Sequence, residues 1–431
     1  MTSYTKQANK KTRRDFLKAG SLLFYAATVV PSAALGKDGT VSPSERISIG
    51  AIGNGNRCVN ALLPAFIREK DVRIVAVSDC WEERREKAKS IVNMRYKNSD
   101  CIAYRYHEMI LEREDIDAVI LAAGDRWHAV LSTLAAQAGK DVYCEKPFCL
   151  TIGEGRSLVE ITKKYGTIWQ CGTQRHTNPD YLYVLDAVLQ GKIGKLHTIS
   201  TMLGDIRIGK GNAVPEPVPA GFDYDRWLGQ SPWRPYSSIS VGLWRNHWDT
   251  GGGVLTDMGP HMYDLAQMGN QSETSSPIEY KGKAKFPTEG YANVPYDLEV
   301  EAKYESGVRL TTKMGTKSIR FIGDEGWIEI YDMTGEIKSN PASLRPRKEA
   351  MNQHFNILSP HIRNFLECMR SRRLTVCHPE IAHRAHTMAH ASNICLRLGR
   401  RLRWNYKTER FINDEEANRM LSRTMRVPWV I

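Results

Sequence analysis

An aspartate and a histidine four positions apart are the first pair of residues that could do chemistry. Asp257 and His261 would share one face if residues 257–261 formed a helix. Histidine exchanges a proton near neutral pH, and a neighbouring carboxylate or lysine can orient it. The spacing therefore predicts His261 as a general base. Two alternatives are a metal site, for which no convincing third ligand follows, and a structural N-cap at Asp257.

A glycine turn near the start of the chain predicts a bound dinucleotide. Residues 53–58 read Gly-Asn-Gly-Asn-Arg-Cys, which resembles G-x-G-x-x-G with cysteine at the third glycine. Such glycines allow a tight turn and bring a pyrophosphate close to a helix N-terminus. Asp79 ends the next predicted strand, where a carboxylate bonds the adenosine ribose and repels a 2′-phosphate. We therefore expect NAD rather than NADP; the alternative is a plain glycine turn with a surface aspartate.

A lysine after a later strand is the third candidate. Lys146 lies between Glu145 and Pro147 and follows the apolar run 142–144. Ligands of open α/β sheets bind outside the carboxyl ends of the strands. A lysine before a proline is usually part of a surface turn, but its place after the glycine pattern favours contact with the nicotinamide ribose and a substrate hydroxyl.

The elements that must position these residues alternate along the first part of the chain. Short apolar runs predict buried strands, and the stretches between them predict helices. Strands alternating with helices imply a parallel sheet with right-handed crossovers, here a Rossmann domain over residues 45–172. The predicted strands are 47–53, 72–77, 118–123 and 142–144, and the predicted helices are 59–67, 82–92 and 129–138.

The pattern changes after about Gly172, so the expected fold class is α/β followed by α+β. Longer strands with fewer helices predict an open, mixed or mostly antiparallel sheet in a substrate-binding domain over residues 173–358. The polar stretch 269–291 is expected to include connecting loops. Residues 359–431 are expected to form helices and a tail that pack back on the first domain. The predicted strands are 196–202, 298–304, 308–313 and 327–331, and the predicted helices are 361–370 and 380–399.

The first 36 residues resemble a twin-arginine export signal. Arg13 and Arg14 precede Phe16-Leu17-Lys18, and a short apolar run and small residues follow. That run is too short to span a bilayer. We therefore expect export by the twin-arginine machinery to the periplasm or another extracytoplasmic space, with a cofactor loaded before export. A retained membrane anchor and a disordered tail are the alternatives.

Charge and cysteine content narrow the classes of partner. The 431-residue chain has a formal net charge of +12, and six basic residues against one acidic residue place +5 of it in residues 1–36. The remaining charge is spread along the chain without a zinc-finger or basic-zipper pattern, so nucleic acid is not an expected partner. None of the nine cysteines forms a C-x-x-C pair, which argues against a zinc ribbon.

Together these motifs resemble the Gfo/Idh/MocA oxidoreductases over nearly all of residues 45–431. Further matches are residues 125–128, 171–175, 227–229 and 413–418. The resemblance is to an exported branch of the family. Gly124 and Arg126 depart from the Pro and His common there, and the Thr-His-Gly-type motif of the NAD-using glycosidase branch is not present.

The resemblance implies hydride exchange between a sugar carbon and a tightly bound nicotinamide cofactor. His261 would take the hydroxyl proton, Lys146 would hold the same oxygen, and Asp257 would orient the histidine or bind a neighbouring hydroxyl. With the glycine fingerprint it implies cofactor contacts from Gly53, Gly55, Asn56, Arg57, Asp79, Trp127, His128, Glu145, Lys146 and Gln174. The candidates for sugar contact are Arg175, His176, Trp244, Arg245, Asn246 and His247.

Three functions follow from these expectations. The first is an exported NAD-dependent oxidoreductase acting on a sugar or glycoside. The second is a glycoside-cleaving enzyme that oxidises, eliminates and re-reduces with its NAD retained. The third is a non-catalytic sugar-binding protein with a vestigial nucleotide site. We expect no metal, and we expect subunits to associate through the sheet of the second domain.

Overall fold

The computed structural model describes residues 42, 45–204, 208, 211–332, 334–345 and 357–429. The export signal predicted over residues 1–36 lies outside this range. Among the helices within it, none combines the length and the apolar character needed to cross a bilayer.

The first sheet has six parallel strands whose apolar side chains are largely buried. They are β1 (Ile47–Ile52), β2 (Val72–Ser78), β3 (Ile102–Tyr104), β4 (Ala118–Leu121), β5 (Asp141–Cys144) and β6 (Trp169–Cys171). Their order is β3-β2-β1-β4-β5-β6, which confirms the predicted Rossmann arrangement. Strand order reverses between β1 and β4, and a ligand-binding crevice opens at the carboxyl ends of strands at such a point.

Helices cover both faces of this sheet. A π-helical segment, Cys58–Leu62, runs directly into α1 (Leu63–Arg68), and the others are α2 (Glu82–Tyr96), α3 (Glu108–Leu111), α4 (Asp125–Gln137) and α5 (Ile152–Tyr165). On one face Phe66 of α1 packs edge-on against Tyr143 of β5, with ring centroids 5.3 Å apart. On the other face Trp127 and Ala129 of α4 share a buried cluster with Leu121 of β4.

The second sheet has nine strands and is mostly antiparallel, as predicted. The strands are β7 (Leu196–Met202), β8 (Glu279–Lys285), β9 (Tyr296–Lys303), β10 (Arg309–Lys313), β11 (Ser318–Gly323), β12 (Trp327–Tyr331), β13 (Ile337–Asn340), β14 (Leu402–Asn405) and β15 (Arg410–Phe411). Their order is β13-β12-β11-β7-β10-β9-β8-β14-β15. Strands β7 and β10 pair in parallel, so the sheet is mixed.

Eight α-helices follow the first sheet along the chain in the described residues. They are α6 (Pro179–Leu189), α7 (Tyr224–Leu228), α8 (Ser238–Gly242), α9 (Val254–Asp257), α10 (Gly259–Gly269), α11 (Leu358–Ser371), α12 (Pro379–Leu398) and α13 (Glu415–Arg419). Helices α6, α10 and α12 contribute to the core on one face of this sheet. Helix α11 instead places Ile362, Phe365 and Leu366 in the core of the first sheet, so the chain returns to the first domain after it completes most of the second.

The polar stretch 269–291 includes connecting loops, as expected, and also contains a strand that was not predicted. Strand β8 pairs along its length with β9. Lys281 lies 3.1 Å from Glu301 across the pair, and Tyr280 on the opposite face is fully buried. Opposite charges on neighbouring strands support a sheet, so the charges that resemble a loop belong to the exposed face of a strand.

Candidate active site

The predicted glycine turn follows β1 and opens the helical segment that leads to α1. Gly53 has a φ of +83°, and a Cβ there would lie 2.5 Å from the Ala123 backbone. Only glycine fits this conformation and this close approach. A Cβ on Gly55 would meet nothing nearer than the Arg84 guanidinium at 4.0 Å. This side of the turn is therefore open to a ligand, as the dinucleotide fingerprint requires.

Asp79 stands directly after β2, at the place predicted for the ribose-binding carboxylate. Its oxygens accept hydrogen bonds from the backbone N–H groups of Asn54 (2.7 Å) and Trp81 (2.8 Å). Burial raises the pKa of Asp79, and these two donors oppose the rise. The carboxylate is thus tied to the glycine turn, so the two parts of the fingerprint form one structure.

A groove of about 520 Å³ runs along the carboxyl ends of these strands. Six of the predicted cofactor residues line it, namely Gly53, Gly55, Asn56, Arg57, Asp79 and Trp127. The open glycine turn and the carboxylate at the end of β2 fit the pyrophosphate and the adenosine ribose of a dinucleotide. The groove is also lined by Trp81, Arg84 and Trp227, to which the sequence analysis gave no cofactor contact.

Residues 211–250, which we call the strap, extend from the second domain across this groove. On the β2 side the Asp223 N–H donates to the Cys80 carbonyl at 2.9 Å. Phe222 of the strap stacks on Trp81 with ring centroids 4.4 Å apart. The Arg105 guanidinium also donates to the Asp223 carboxylate at 2.9 Å. These contacts fix the strap beside the predicted ribose site.

The strap is held equally on the β4 side. Arg126 Nε donates to the Trp227 carbonyl at 2.6 Å, and Trp127 Nε1 donates to the Arg226 carbonyl at 2.9 Å. The Arg126 guanidinium also lies 3.9 Å from the Trp227 ring centroid. Because β1 lies between β2 and β4 in the sheet, the strap crosses above the carboxyl end of β1, where the glycine turn lies.

A second cavity, of about 300 Å³, adjoins the groove at the carboxyl ends of β4 and β5. Lys146 and His261 line it, as do the predicted cofactor residues His128, Glu145 and Gln174. Arg57, Gly124, Trp244 and Arg245 line both spaces. The two spaces are therefore neighbours, and a group bound at the end of the groove would face Lys146 and His261.

Lys146 is held by Asp257 from the second domain. Its ammonium donates to the Asp257 backbone carbonyl at 2.6 Å and to Oδ1 of the carboxylate at 2.9 Å. Burial alone would raise the pKa of Asp257, but Lys146 and Arg245 outweigh it and lower the pKa to about 2. Asp257 is therefore ionised. Its carboxylate orients Lys146, whereas the sequence predicted that it would orient His261 or bind a hydroxyl.

Asp257 and His261 belong to two helices rather than to one. Asp257 is the last residue of α9, Met258 follows, and His261 lies in the first turn of α10. Pro260 lies at the start of α10, where its missing N–H costs no hydrogen bond but where it cannot continue a preceding helix. The shared helix face inferred from the spacing is therefore wrong, although both residues reach the same cavity region.

His261 is a buried, neutral histidine. The residue is only 4% exposed. Its burial and the positive charges of Arg175 and Lys146 lower the pKa of the imidazole well below the ordinary value. Nδ1 is buried without a hydrogen-bond partner among the described residues. Since the ring lines the cavity, and since Nδ1 is enclosed, Nε2 is the nitrogen available to a ligand there.

Three of the six predicted sugar contacts line the cavity. Trp244 and Arg245 lie at its boundary with the groove, and the Arg245 guanidinium stacks 4.2 Å from the Trp244 ring centroid. Arg175 lines the cavity but already donates to the Asp332 carboxylate, at 2.7 Å from Nη2. Trp244 and Arg245 are therefore better placed to bind a ligand than Arg175.

The other three predicted sugar contacts are not among the cavity-lining residues. His176 Nδ1 lies 3.0 Å from Oδ2 of Asp264 in the core. His247 stacks on Tyr291 with ring centroids 4.5 Å apart, and Asn246 is buried in a 3₁₀ turn. These three residues are therefore neighbours in sequence of cavity-lining residues, but their side chains contact other parts of the protein.

One group in the described residues has the spacing of a metal site. Ligand atoms of His176, Asp264 and Cys377 lie within 4.8 Å of one another. Although burial opposes it, Cys377 and Asp264 raise the pKa of His176, so an ion pair accounts for the His–Asp contact without an ion. Asp257 and His261, for which a metal was the alternative, do not belong to this group.

Asp125 is a cavity residue to which the sequence analysis gave no role. It is the first residue of α4, which follows β4 after residues 122–124, and it lines the cavity beside Lys146. Burial raises its pKa to about 7, against the opposing effect of Arg245. Its position after a parallel strand is the same signal that identified Lys146, so it could have been found by that argument.

Two family profiles match the chain. Residues 47–173 match "Oxidoreductase family, NAD-binding Rossmann fold", and residues 198–431 match "Oxidoreductase family, C-terminal alpha/beta domain". Among curated proteins, myo-inositol 2-dehydrogenase of Thermotoga maritima is 26% identical over 47% of this chain and 49% of its own length. Glycosyl hydrolase family 109 protein 1 of Shewanella sp. is 30% identical over 43% and 44%. The matches thus span about half the length of these curated relatives.

Solved structures show the same fold. Aldose-aldose oxidoreductase from Caulobacter crescentus superposes with a TM-score of 0.62 at 18% identity, covering 83% of this chain and 99% of that one. The WlbA dehydrogenase from Bordetella pertussis, in complex with NADH and UDP-GlcNAcA, superposes with a TM-score of 0.65 at 16% identity, covering 84% and 98%. At these identities the likeness extends to the fold alone.

Asp79→Ala should weaken NAD binding more than NADP binding, because it removes a ribose acceptor and a charge that repels a 2′-phosphate. The measurement is the dissociation constant for each cofactor by titration calorimetry. Asp100→Ala is the matched control, since it removes an exposed carboxylate that pairs with Arg73 in the same domain. An unchanged ratio of the two constants in Asp79→Ala would show that the residue does not lie at the ribose.

Proposed function

Because this chain belongs to the Gfo/Idh/MocA oxidoreductase family, we propose that it exchanges hydride between a hydroxyl-bearing carbon of a sugar or glycoside and a retained NAD. The observation that carries the proposal is the junction of the two spaces. Lys146 and the neutral His261 line a cavity that adjoins a dinucleotide groove. When bound, the nicotinamide ring accepts or returns the hydride.

His261 is suited to move the hydroxyl proton. A base must be unprotonated to act, and burial together with nearby cations keeps this imidazole neutral. Nε2 would accept the proton from the sugar hydroxyl as the carbon loses hydride, and would return it in the reverse direction. The charge on the protonated ring would be costly in a buried site, which favours return of the proton to the oxygen during the reductive step.

Lys146 is suited to hold the oxygen that loses this proton. An ammonium group has three N–H donors. Asp257 accepts two hydrogen bonds from this group, one at its backbone carbonyl and one at its carboxylate. One donor remains for the sugar oxygen. Its fixed positive charge would stabilise the negative charge that develops as the proton leaves, and the carboxylate of Asp257 keeps the ammonium in position.

A polyhydroxylated substrate is supported by the named relatives and by the cavity. One relative is named as an inositol dehydrogenase, and one structural neighbour as an aldose oxidoreductase. The cavity presents the aromatic face of Trp244 and the planar donors of Arg245, which suit sugar rings and hydroxyls. These observations support a sugar or glycoside as the substrate class.

A redox-neutral glycoside hydrolase is the second candidate. It is favoured by the 30% identity to a relative named as a glycosyl hydrolase family 109 protein. Incubation of NAD-loaded protein with sugars and aryl glycosides separates the two reactions. Lasting reduced cofactor identifies a dehydrogenase, whereas release of the aglycone without net reduction identifies the hydrolase.

His261→Ala should lower turnover by about two to four orders of magnitude, the usual range for a positioned acid–base group. Lys146→Ala should also lower turnover. The double variant should fall far short of the product of the single losses, because both groups act on one hydroxyl. The measurement is steady-state turnover of folded, NAD-loaded protein, with His197→Ala as the control, since His197 is an exposed histidine on β7. More than about a tenth of wild-type turnover in His261→Ala would remove it from the base role.

We also propose that the subunits associate through the second sheet. A separate proposal is that the protein is exported by the twin-arginine pathway. The proposal of export rests on Arg13 and Arg14 and the short apolar run after them. Combined Arg13→Lys and Arg14→Lys substitutions should leave the precursor in the cytoplasm, as measured by cell fractionation and immunoblot. The pair Lys10→Arg and Lys11→Arg controls for general changes in the basic segment. Normal export of the twin-lysine variant would contradict the proposal.

A further inference from the structure

The strap is clamped from outside by residues 420–429, which we call the tail. The Arg426 backbone N–H donates to the Gln230 carbonyl at 3.0 Å. Its guanidinium donates to the Gly229 carbonyl at 2.8 Å and to the Asp225 carboxylate at 2.5 Å. Gly229 ends helix α7 of the strap, and a cation there satisfies the exposed carbonyls of the last turn. Arg426 therefore fastens the part of the strap that covers the groove.

Trp429 connects the tail to the first domain as well. Its ring packs edge-on against Trp127 with centroids 4.9 Å apart, and the Arg226 guanidinium lies 5.1 Å from its centroid. Trp127 belongs to α4 and lines the groove, while Arg226 belongs to the strap and also lines it. Neither Trp429 nor Arg426 is among the groove-lining residues, so both act through neighbours that are.

The tail is anchored at its other end. The Gly153 N–H on α5 donates to the Leu421 carbonyl at 2.8 Å. The Arg423 guanidinium lies 3.7 Å from the ring centroid of Trp248, near the end of the strap, and Arg397 of α12 lies 3.9 Å from the same centroid. The tail thus runs from α5 to α4 along the outside of the strap, with fixed contacts at both ends.

From this arrangement we propose that the tail locks the strap over the dinucleotide, and that Arg426 and Trp429 are positioning residues for cofactor retention. The inference deepens the proposed function, because it rests on NAD occupying the groove. The strap contacts both the β2 side and the β4 side of the groove, so lifting the strap would open the groove and release a bound dinucleotide. Lifting α7 breaks the Arg426 hydrogen bonds and separates Trp429 from Arg226. NAD therefore enters before the tail docks and stays bound through many turnovers.

The test compares the release of bound NAD from purified full-length variants. Nucleotide retained after gel filtration is extracted with acid and quantified, and the release rate is followed by dilution into excess NADH. Wild-type protein should retain nucleotide and release it slowly. Arg426→Ala and Trp429→Ala should each release NAD roughly tenfold faster or more. Trp429→Phe, which keeps an aromatic ring at the contact, should restore most of the slow release.

The control is Arg400→Ala, which removes exposed ion pairs to Asp414 and Glu416 just before the tail. It should release NAD at the wild-type rate. Release at the wild-type rate from both Arg426→Ala and Trp429→Ala would overturn the proposal, as would equally fast release from Arg400→Ala. Arg426→Gln, which removes the charge at similar size, replaces Arg426→Ala if that variant does not fold. Release is measured without sugar, so retention of NAD can be confirmed even if the proposed oxidation of a sugar fails. Wild-type protein that binds no added NAD would contradict both the tail proposal and the proposed function.

Discussion

The hydrogen-bonded ion pair between Lys146 and Asp257 is the contact on which the site depends. It joins two residues 111 positions apart, one at the carboxyl end of β5 and the other at the end of α9. The two side chains are 14% and 25% exposed, and at such sites the cost of desolvation offsets much of the attraction. The pair is therefore better understood as a positioning device than as a source of stability. It sets a cation beside the neutral His261, and that cation helps to keep the histidine unprotonated.

Retention of the cofactor, as proposed above, has a consequence for the reaction. A cofactor that stays bound must regain its starting oxidation state in the same cavity. A dehydrogenase with this geometry therefore needs a second substrate that takes up the hydride, whereas glycoside cleavage returns the hydride to the same sugar. Both routes require Lys146 and His261 to serve oxidation and reduction in turn. The proton that the neutral imidazole takes during oxidation is the proton it returns to the oxygen during reduction, and the tethered Lys146 ammonium holds that oxygen in both directions.

Local signals in the sequence predicted the parts of the site that depend on short stretches of chain. The glycine turn, Asp79, Lys146 and His261 each follow from neighbouring residues, and so does the parallel sheet. The strap was not predicted, because its position depends on contacts such as Arg126 Nε to the Trp227 carbonyl, 101 residues apart. Strand β8 was missed because its charged face resembles a loop until β9 supplies the opposite charges. The break between α9 and α10 follows from Pro260, which a spacing argument alone ignores.

The most direct test of hydride transfer in this cavity is the absorbance of reduced nicotinamide in purified protein, mixed rapidly with a panel of sugars and glycosides and with no nucleotide added. From the proposed function we expect the band of reduced nicotinamide to appear with at least one compound, lasting in a dehydrogenase and transient in a hydrolase, and never to exceed one reduced cofactor per subunit. Protein that contains NAD and binds a sugar, yet shows no reduced nicotinamide at any time after mixing, would contradict the assignment of Lys146 and His261 to oxidation of that sugar.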